Sequence, residues 1–200
     1  MNLRSICGLL ALLLASAGSV RAARLTSPDG DLQVNLRPAP KEVQLHAGGF
    51  RVKAATRIVV ELGHQSEDRI AAETLAEEIA NQSGVTLSIV GAKPRKTHPE
   101  KTILLARLQD LRVQRFLASK GLKDDASIGE RGYLLFSDKS HLIVAANTGE
   151  GVFYGVQTLR QLLRPDGKGL ICPAVEIRDW PGLQPRVAHS DLSSMMQPKP

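Results

Sequence analysis

Residues 149–163 read GEGVFYGVQTLRQLL, and residues 177–181 read IRDWP. In the first stretch Val152, Phe153, Val156, Leu159, Leu162 and Leu163 recur at helical spacing, so one face of a helix is apolar. Asn147, with Glu150 three residues on, predicts a capping box in which each side chain bonds a free backbone N–H. Gly149, Gly151 and Gly155 each weaken a helix by about 1 kcal/mol. Their presence predicts a helix whose backbone lies directly against a sheet. Pro165-Asp166-Gly167 ends the helix, residues 170–177 form a last strand, and the chain leaves through a Trp-Pro corner.

Upstream, residues 25–40 are polar and proline-containing and read as a leader arm reaching the domain. Residues 41–45 and 50–52, separated by Gly48-Gly49, suggest a short hairpin. Residues 56–62 (TRIVVEL) are a β-branched strand. A helix comes next, with Ser66 as N-cap, Glu67 and Asp68 favouring its positive end, and Gly84 as its stop. Ile70, Ala71, Thr74, Leu75, Glu78 and Ile79 lie along one side of it. Residues 85–90 and 102–106 are further strands. Asp110 caps a short helix ending at Gly121, with Val113, Phe116 and Leu117 inward. Residues 132–137 and 141–146 pair around a tight Asp138-Lys139-Ser140 turn. The order predicts one α+β domain, a mixed β-sheet with two main helices packed on one face.

The N-terminus is read separately. Arg4 gives a positive start, residues 6–17 are apolar, and Val20-Arg21-Ala22 ends in small-x-small, which together predict a signal peptide over 1–22. The apolar run is shorter than the ~20 residues of a membrane span. The expectation is a secreted or periplasmic protein, with no membrane association after cleavage. Removing Arg4 and Arg21 lowers the net charge from +6 to +4, from 24 basic and 20 acidic residues. The basic residues are scattered and only 7 Phe, Trp or Tyr are present, so no nucleic-acid partner is expected. Cys172 is then the sole cysteine, in an apolar strand, and reads as a buried inert thiol.

The stretches 132–137 (GYLLFS), 149–163 and Asp179-Trp180-Pro181, with Arg186 and Asp191-Leu192-Ser193 beyond, resemble in order and spacing the junction of bacterial-type β-N-acetylhexosaminidases of glycoside hydrolase family 20. There a non-catalytic, zincin-like α+β domain hands over to the first strand of a TIM barrel. The resemblance divides the chain into a signal peptide (1–22), a leader arm (23–37), the N-terminal α+β domain (38–180) and the start of a truncated barrel (181–200). It implies a substrate-assisted mechanism in the full enzyme, an exception to the carboxylate nucleophile. An adjacent Asp-Glu pair would orient the 2-acetamido group and protonate the leaving oxygen. No Asp-Glu dipeptide occurs in the chain. A barrel of about 250 residues does not fit within residues 182–200. No catalytic residue is therefore assigned. The expectation is an accessory fragment, from a truncated gene, inactive alone. Its glycans, bearing N-acetylglucosamine or N-acetylgalactosamine, are met through the full-length enzyme. Arg186 matches the family's sugar-binding Arg and is the one substrate-binding candidate, although Val187 stands where the family has Gly.

Other patterns carry less. Glu67-Asp68, Glu77-Glu78 and Asp124-Asp125 read as solvated surface pairs. His189-Ser190-Asp191 has the residue types of a triad, but alternate strand positions face opposite ways. Five histidines without metal-ligand spacing predict no metal, and the helix-start glycines do not match a phosphate or dinucleotide cradle, so no cofactor is expected. Tyr154 is read with its ring buried and its hydroxyl exposed. The competing functional readings are a periplasmic carbohydrate-binding or scaffold module and a secreted docking partner of a hydrolase.

Overall fold

The computed structural model describes residues 23–26, 33–61, 63–92, 101–122, 126–167 and 169–181. Two short strands, β1 (Ala23–Thr26) and β2 (Gln33–Leu36), pair antiparallel. β3 (Glu42–Val52) is a long strand, and β4 (Arg57–Glu61) leads into helix α1 (Gln65–Ser83). β5 (Ser88–Ala92) and β6 (Thr102–Arg107) come next, before helix α2 (Leu111–Ser119) and a 3-10 turn at Ala126–Ile128. β7 (Tyr133–Ser137) and β8 (Leu142–Ala146) form a hairpin ahead of helix α3 (Gly149–Leu162). A three-residue strand, β9 (Arg164–Asp166), folds onto the last strand, β10 (Gly169–Asp179).

The main sheet runs β3-β10-β7-β8-β6-β4-β5. β5, β4, β6 and β8 are mutually parallel, whereas β7, β10 and β3 pair antiparallel. Its central strands are buried along their whole length, so successive side chains feed two cores. Ile58, Val60, Ile103, Leu105, Leu142 and Val144 face Ala71, Leu75 and Ile79 of α1 and Val152, Val156 and Leu159 of α3. Their alternates Val59, Leu104, Ala106, Ile143 and Ala145 face Val113 and Leu117 of α2. Each such Leu, Ile or Val stabilises the fold by about 1.5–3 kcal/mol on full burial. The expected α+β architecture, with two main helices on one face, is the observed one. The short α2 covers the other face.

Helix α3 rests on the sheet through its glycines. A Cβ on Gly151 would lie 2.5 Å from the Gly132 carbonyl oxygen and 2.7 Å from the Ala146 Cβ, and one on Gly155 would strike Val144. The helix opens one residue later than the capping-box reading: Thr148, not Asn147, accepts the Gly151 N–H at 3.2 Å. Glu150 turns outward to Arg131, 2.9 Å away.

Several expectations are corrected by tertiary contacts. Residues 42–52 are one strand, not a hairpin. Two extra residues are absorbed as a bulge between the pairs Pro173–Gly49 and Val175–Leu45, with Gly48 at φ +88°. At Gly49 a side chain would collide with the Cys172 carbonyl. The leader-arm reading also undercounts residues 33–36. Val34 and Leu36 are wholly buried in the core beside α3, and Gln161 pins the arm by accepting the Arg37 N–H at 2.9 Å and donating to the Arg37 carbonyl at 3.1 Å. His64, not Ser66, precedes α1, and no side chain caps that helix. Ile70 points outward at 65% exposure, because Asp68 takes the inward position on that turn. Tyr154 is 41% exposed, and its hydroxyl donates to Glu150 at 3.3 Å. The β-strand read at 85–90 begins at Ser88. The Gly84 stop, the Asp110 cap and the Asp138 turn form as expected, Asp138 accepting the Ser140 and His141 N–H groups at 2.7 Å each.

The seating of α3 makes a direct prediction. Gly151→Ala will destabilise the protein by about 1–3 kcal/mol through overpacking against backbone that cannot yield. Gly84→Ala, in open space but at φ +71°, will cost about 1 kcal/mol from strain alone. Chemical denaturation of the two variants measures the difference, and equal losses would contradict the close-packing account.

Candidate functional site

Adjacent strands β4 and β6 send the chain to opposite faces, into α1 and α2 respectively. A sheet that divides in this way leaves a crevice outside the carboxyl ends of its parallel strands, the usual ligand position in such folds. Here it is an open cleft of about 850 Å³, walled by Glu61, His64, Arg107, Asp110, Arg112 and Asn147 among others.

Arg107, the last residue of β6, forms the floor. Its guanidinium is 5% exposed and donates to both Asp68 oxygens at 2.8 Å and to Glu67 at 2.7 Å. The planar fork of Arg suits this two-oxygen contact, which a lysine would not reproduce. Burial pushes the Asp68 carboxyl above its usual range, and Arg107 opposes that push. The Arg107 hydrogen bond holds exposed Glu67 below its usual range. The reading of Glu67-Asp68 as a solvated pair is therefore corrected: Asp68 is wholly buried, because α1 starts directly over the end of β6.

Above this pair two carboxyls share one arginine. Asp110 accepts the Arg112 backbone N–H at 2.7 Å as the α2 cap and meets its guanidinium at 2.8 Å, while Glu61 lies 3.8 Å from the same group. Burial, then hydrogen bonding and charge repulsion from Asp110, raise the Glu61 carboxyl to about 7. Burial works against ionisation of Asp110, but hydrogen bonds from Glu61 and Arg112 outweigh it and hold this carboxyl at about 2. The pair thus retains one proton, on Glu61, until the pH rises through about 7. Glu61 Oε2 and His64 Nδ1 are shut from solvent with no hydrogen-bond partner among the described residues.

The residues singled out in the sequence are scattered. Arg186, His189, Ser190, Asp191 and Asp124-Asp125 lie outside the described residues. Cys172 is wholly buried between strands, its thiol pushed up to about 12 by desolvation, so it is inert. Glu78 pairs with Arg160 of α3 at 2.8 Å and ties the two helices together. Among the described residues no group of three His, Cys, Asp or Glu is placed to hold a metal, and no helix is long and apolar enough to cross a membrane. Sequence reading missed Glu61 and Arg107. The available signal was position: each is a charge ending an apolar strand, where a parallel sheet presents its ligand edge.

The shared proton sets a pH dependence. Between its ordinary 4.5 and about 7, Glu61 stays protonated only in the folded state, so the fold binds more protons and loses stability as pH rises through that window. Asp110 acts oppositely, its contribution being lost as pH falls from 3.8 towards about 2. Glu61→Gln, which keeps a neutral donor facing Asp110, will be stabilised relative to the parent by about 1 kcal/mol more at pH 8 than at pH 4.5. Thermal unfolding across that range tests it, and parallel pH profiles would refute the proton-sharing assignment.

Comparison with known proteins agrees with this geometry. Residues 33–180 match the family model described as Glycosyl hydrolase family 20, domain 2. A β-hexosaminidase of Porphyromonas gingivalis is 28% identical over 184 residues, 88% of this chain and 20% of that protein. The β-N-acetylhexosaminidase structure from Streptomyces coelicolor aligns with TM-score 0.54 and 25% identity, over 72% of this chain and 26% of the other. The N-acetyl-β-hexosaminidase of Streptomyces plicatus aligns with TM-score 0.52 and 26% identity over the same shares. The chain thus spans about a fifth to a quarter of these relatives' lengths. The match to domain 2 begins at β2 and ends at the Trp180 corner, covering the sheet, all three helices and the cleft, and on that match the chain belongs to glycosyl hydrolase family 20.

Proposed function

We propose that this protein is the accessory, non-catalytic domain of a β-N-acetylhexosaminidase. The full enzyme removes terminal N-acetylglucosamine or N-acetylgalactosamine from glycans. The match to domain 2 over residues 33–180 carries this reading. Several acids of the domain fit this reading, because they have structural tasks. Asp68 and Glu67 hold Arg107, Asp110 caps α2, Glu78 ties α1 to α3, and Asp179 accepts from the Lys41 N–H at 3.2 Å and from the Tyr133 hydroxyl at 3.3 Å. None of them forms the neighbouring Asp-Glu pair that substrate-assisted hydrolysis requires. Incubated with an aryl N-acetylglucosaminide, the purified chain will release no chromophore above background. Turnover that disappears on substitution within residues 23–200 would overturn the proposal.

We further infer, from Arg4, the apolar run over residues 6–17 and the small-x-small ending at Ala22, that residues 1–22 are removed as an export signal. Expressed in a Gram-negative host, the protein will be recovered from the periplasm with Ala23 as its first residue, as mass spectrometry of the intact chain reads. A cytoplasmic product retaining residues 1–22 would refute export.

A further inference from the structure

The strand-end cleft has no task in the accessory role, yet its chemistry is selective. Three helices begin around it, and each carries its own acid: Glu67 and Asp68 on α1, Asp110 capping α2, Glu150 on α3. These carboxylates already occupy the positive helix ends. Arg107 is engaged by Asp68 and Glu67, and Arg112 by Asp110. Counted with Arg115, three guanidiniums stand against the carboxyls of Glu61, Glu67, Asp68 and Asp110, so little net field is left for an anion, and a cation would have to displace Arg107 or Arg112 from its carboxylate.

What remains on the wall is neutral or singly placed polar chemistry. Gln109 donates one N–H to Asn147 at 3.1 Å, and its amide oxygen has no partner among the described residues. The exposed Arg115 guanidinium likewise has none there. Glu61 and His64 also line the wall; their Oε2 and Nδ1 atoms are shut from solvent with no hydrogen-bond partner among the described residues, and His64 Nδ1 lies 3.8 Å from Glu67. Leu111, 65% exposed at the rim, offers an apolar ledge. Planar amide and guanidinium groups beside an apolar edge match a pyranose, whose vicinal hydroxyls and acetamide want paired donors and acceptors and whose C–H face wants apolar contact. The cleft volume of about 850 Å³ is in the range of small-ligand sites and accommodates a di- or trisaccharide.

We propose that the cleft between the ends of β4 and β6 and the start of α2 is a binding site for uncharged N-acetylhexosamine oligosaccharides, contacted by Gln109 and Arg115. The choice of sugar rests on the hexosaminidase reading, whereas the preference for an uncharged polyhydroxyl ligand rests on the cleft alone. With no Phe, Tyr or Trp on the wall among the described residues, affinity will be about millimolar.

The test is a titration of the isotope-labelled full chain with N,N′-diacetylchitobiose, monitored by amide chemical shifts, with cellobiose and inorganic phosphate as comparators. Saturable shifts confined to residues 61–68, 107–115 and 147–148 are expected. Gln109→Ala and Arg115→Ala should each weaken binding about fivefold or more, at unchanged melting temperature, since each removes about 1 kcal/mol of hydrogen bonding. Absence of saturable shifts with either sugar, or binding indifferent to both substitutions, would overturn the site while leaving the accessory-domain reading to the hydrolysis assay. Equal binding of cellobiose and chitobiose would overturn the hexosamine assignment. Phosphate displacing the sugar would overturn the uncharged-ligand argument.

Discussion

Arg107 stands where the end of β6, the first turn of α1 and the start of α3 converge. Its guanidinium bonds Asp68 and Glu67, and Gly149 leaves room for both, since a side chain there would lie 3.1 Å from the Glu67 Cβ and 3.3 Å from an Asp68 oxygen. A buried ion pair of this kind contributes little net stability, because desolvation offsets the attraction. Its importance is positional. An unpaired Asp68 or Arg107 in that interior would be costly, so α1 has one register in which its first turn can sit on the sheet.

The position of α3 is set by contact distance. Gly151 and Gly155 bring its backbone onto β7 and β8, and Tyr133, beneath the helix, bonds Thr158 at 2.6 Å. With α3 seated, Arg160 reaches Glu78 on α1 and Gln161 reaches the backbone of Arg37. The arm at 33–36 is then held against the same core that α1 and α3 cover. Helix packing, helix pairing and arm docking are successive consequences of one close approach.

The cleft is the by-product of the split in the sheet. Strands β4 and β6 lie side by side but continue to opposite faces, and the gap beyond their ends is bordered by the starts of α1 and α2. The protein uses that gap to concentrate charge: carboxyls and guanidiniums pair across it, and a proton is shared where two acids meet one arginine. Its field is largely cancelled within the chain, which is why the gap suits a neutral polar guest better than an ion.

Periodicity in the chain alone determined the strands at 57–61, 102–107, 133–137 and 142–146, the three helices, the Asp110 cap and the glycine contacts of α3. Those depend on local chemistry: alternation, helical spacing, backbone freedom and short-range hydrogen bonds. The resemblance to the family's second domain was legible for the same reason, as consecutive residues in a fixed order. Only tertiary structure decided that residues 42–52 form one bulged strand, since the partner that straightens them, β10, lies more than a hundred residues away. It also decided that Asp68 turns inward, because an arginine 39 positions later sits beneath it. The cleft was invisible for the same cause. Its walls come from three separate segments, and charge pairing across a sheet edge leaves no pattern in linear spacing.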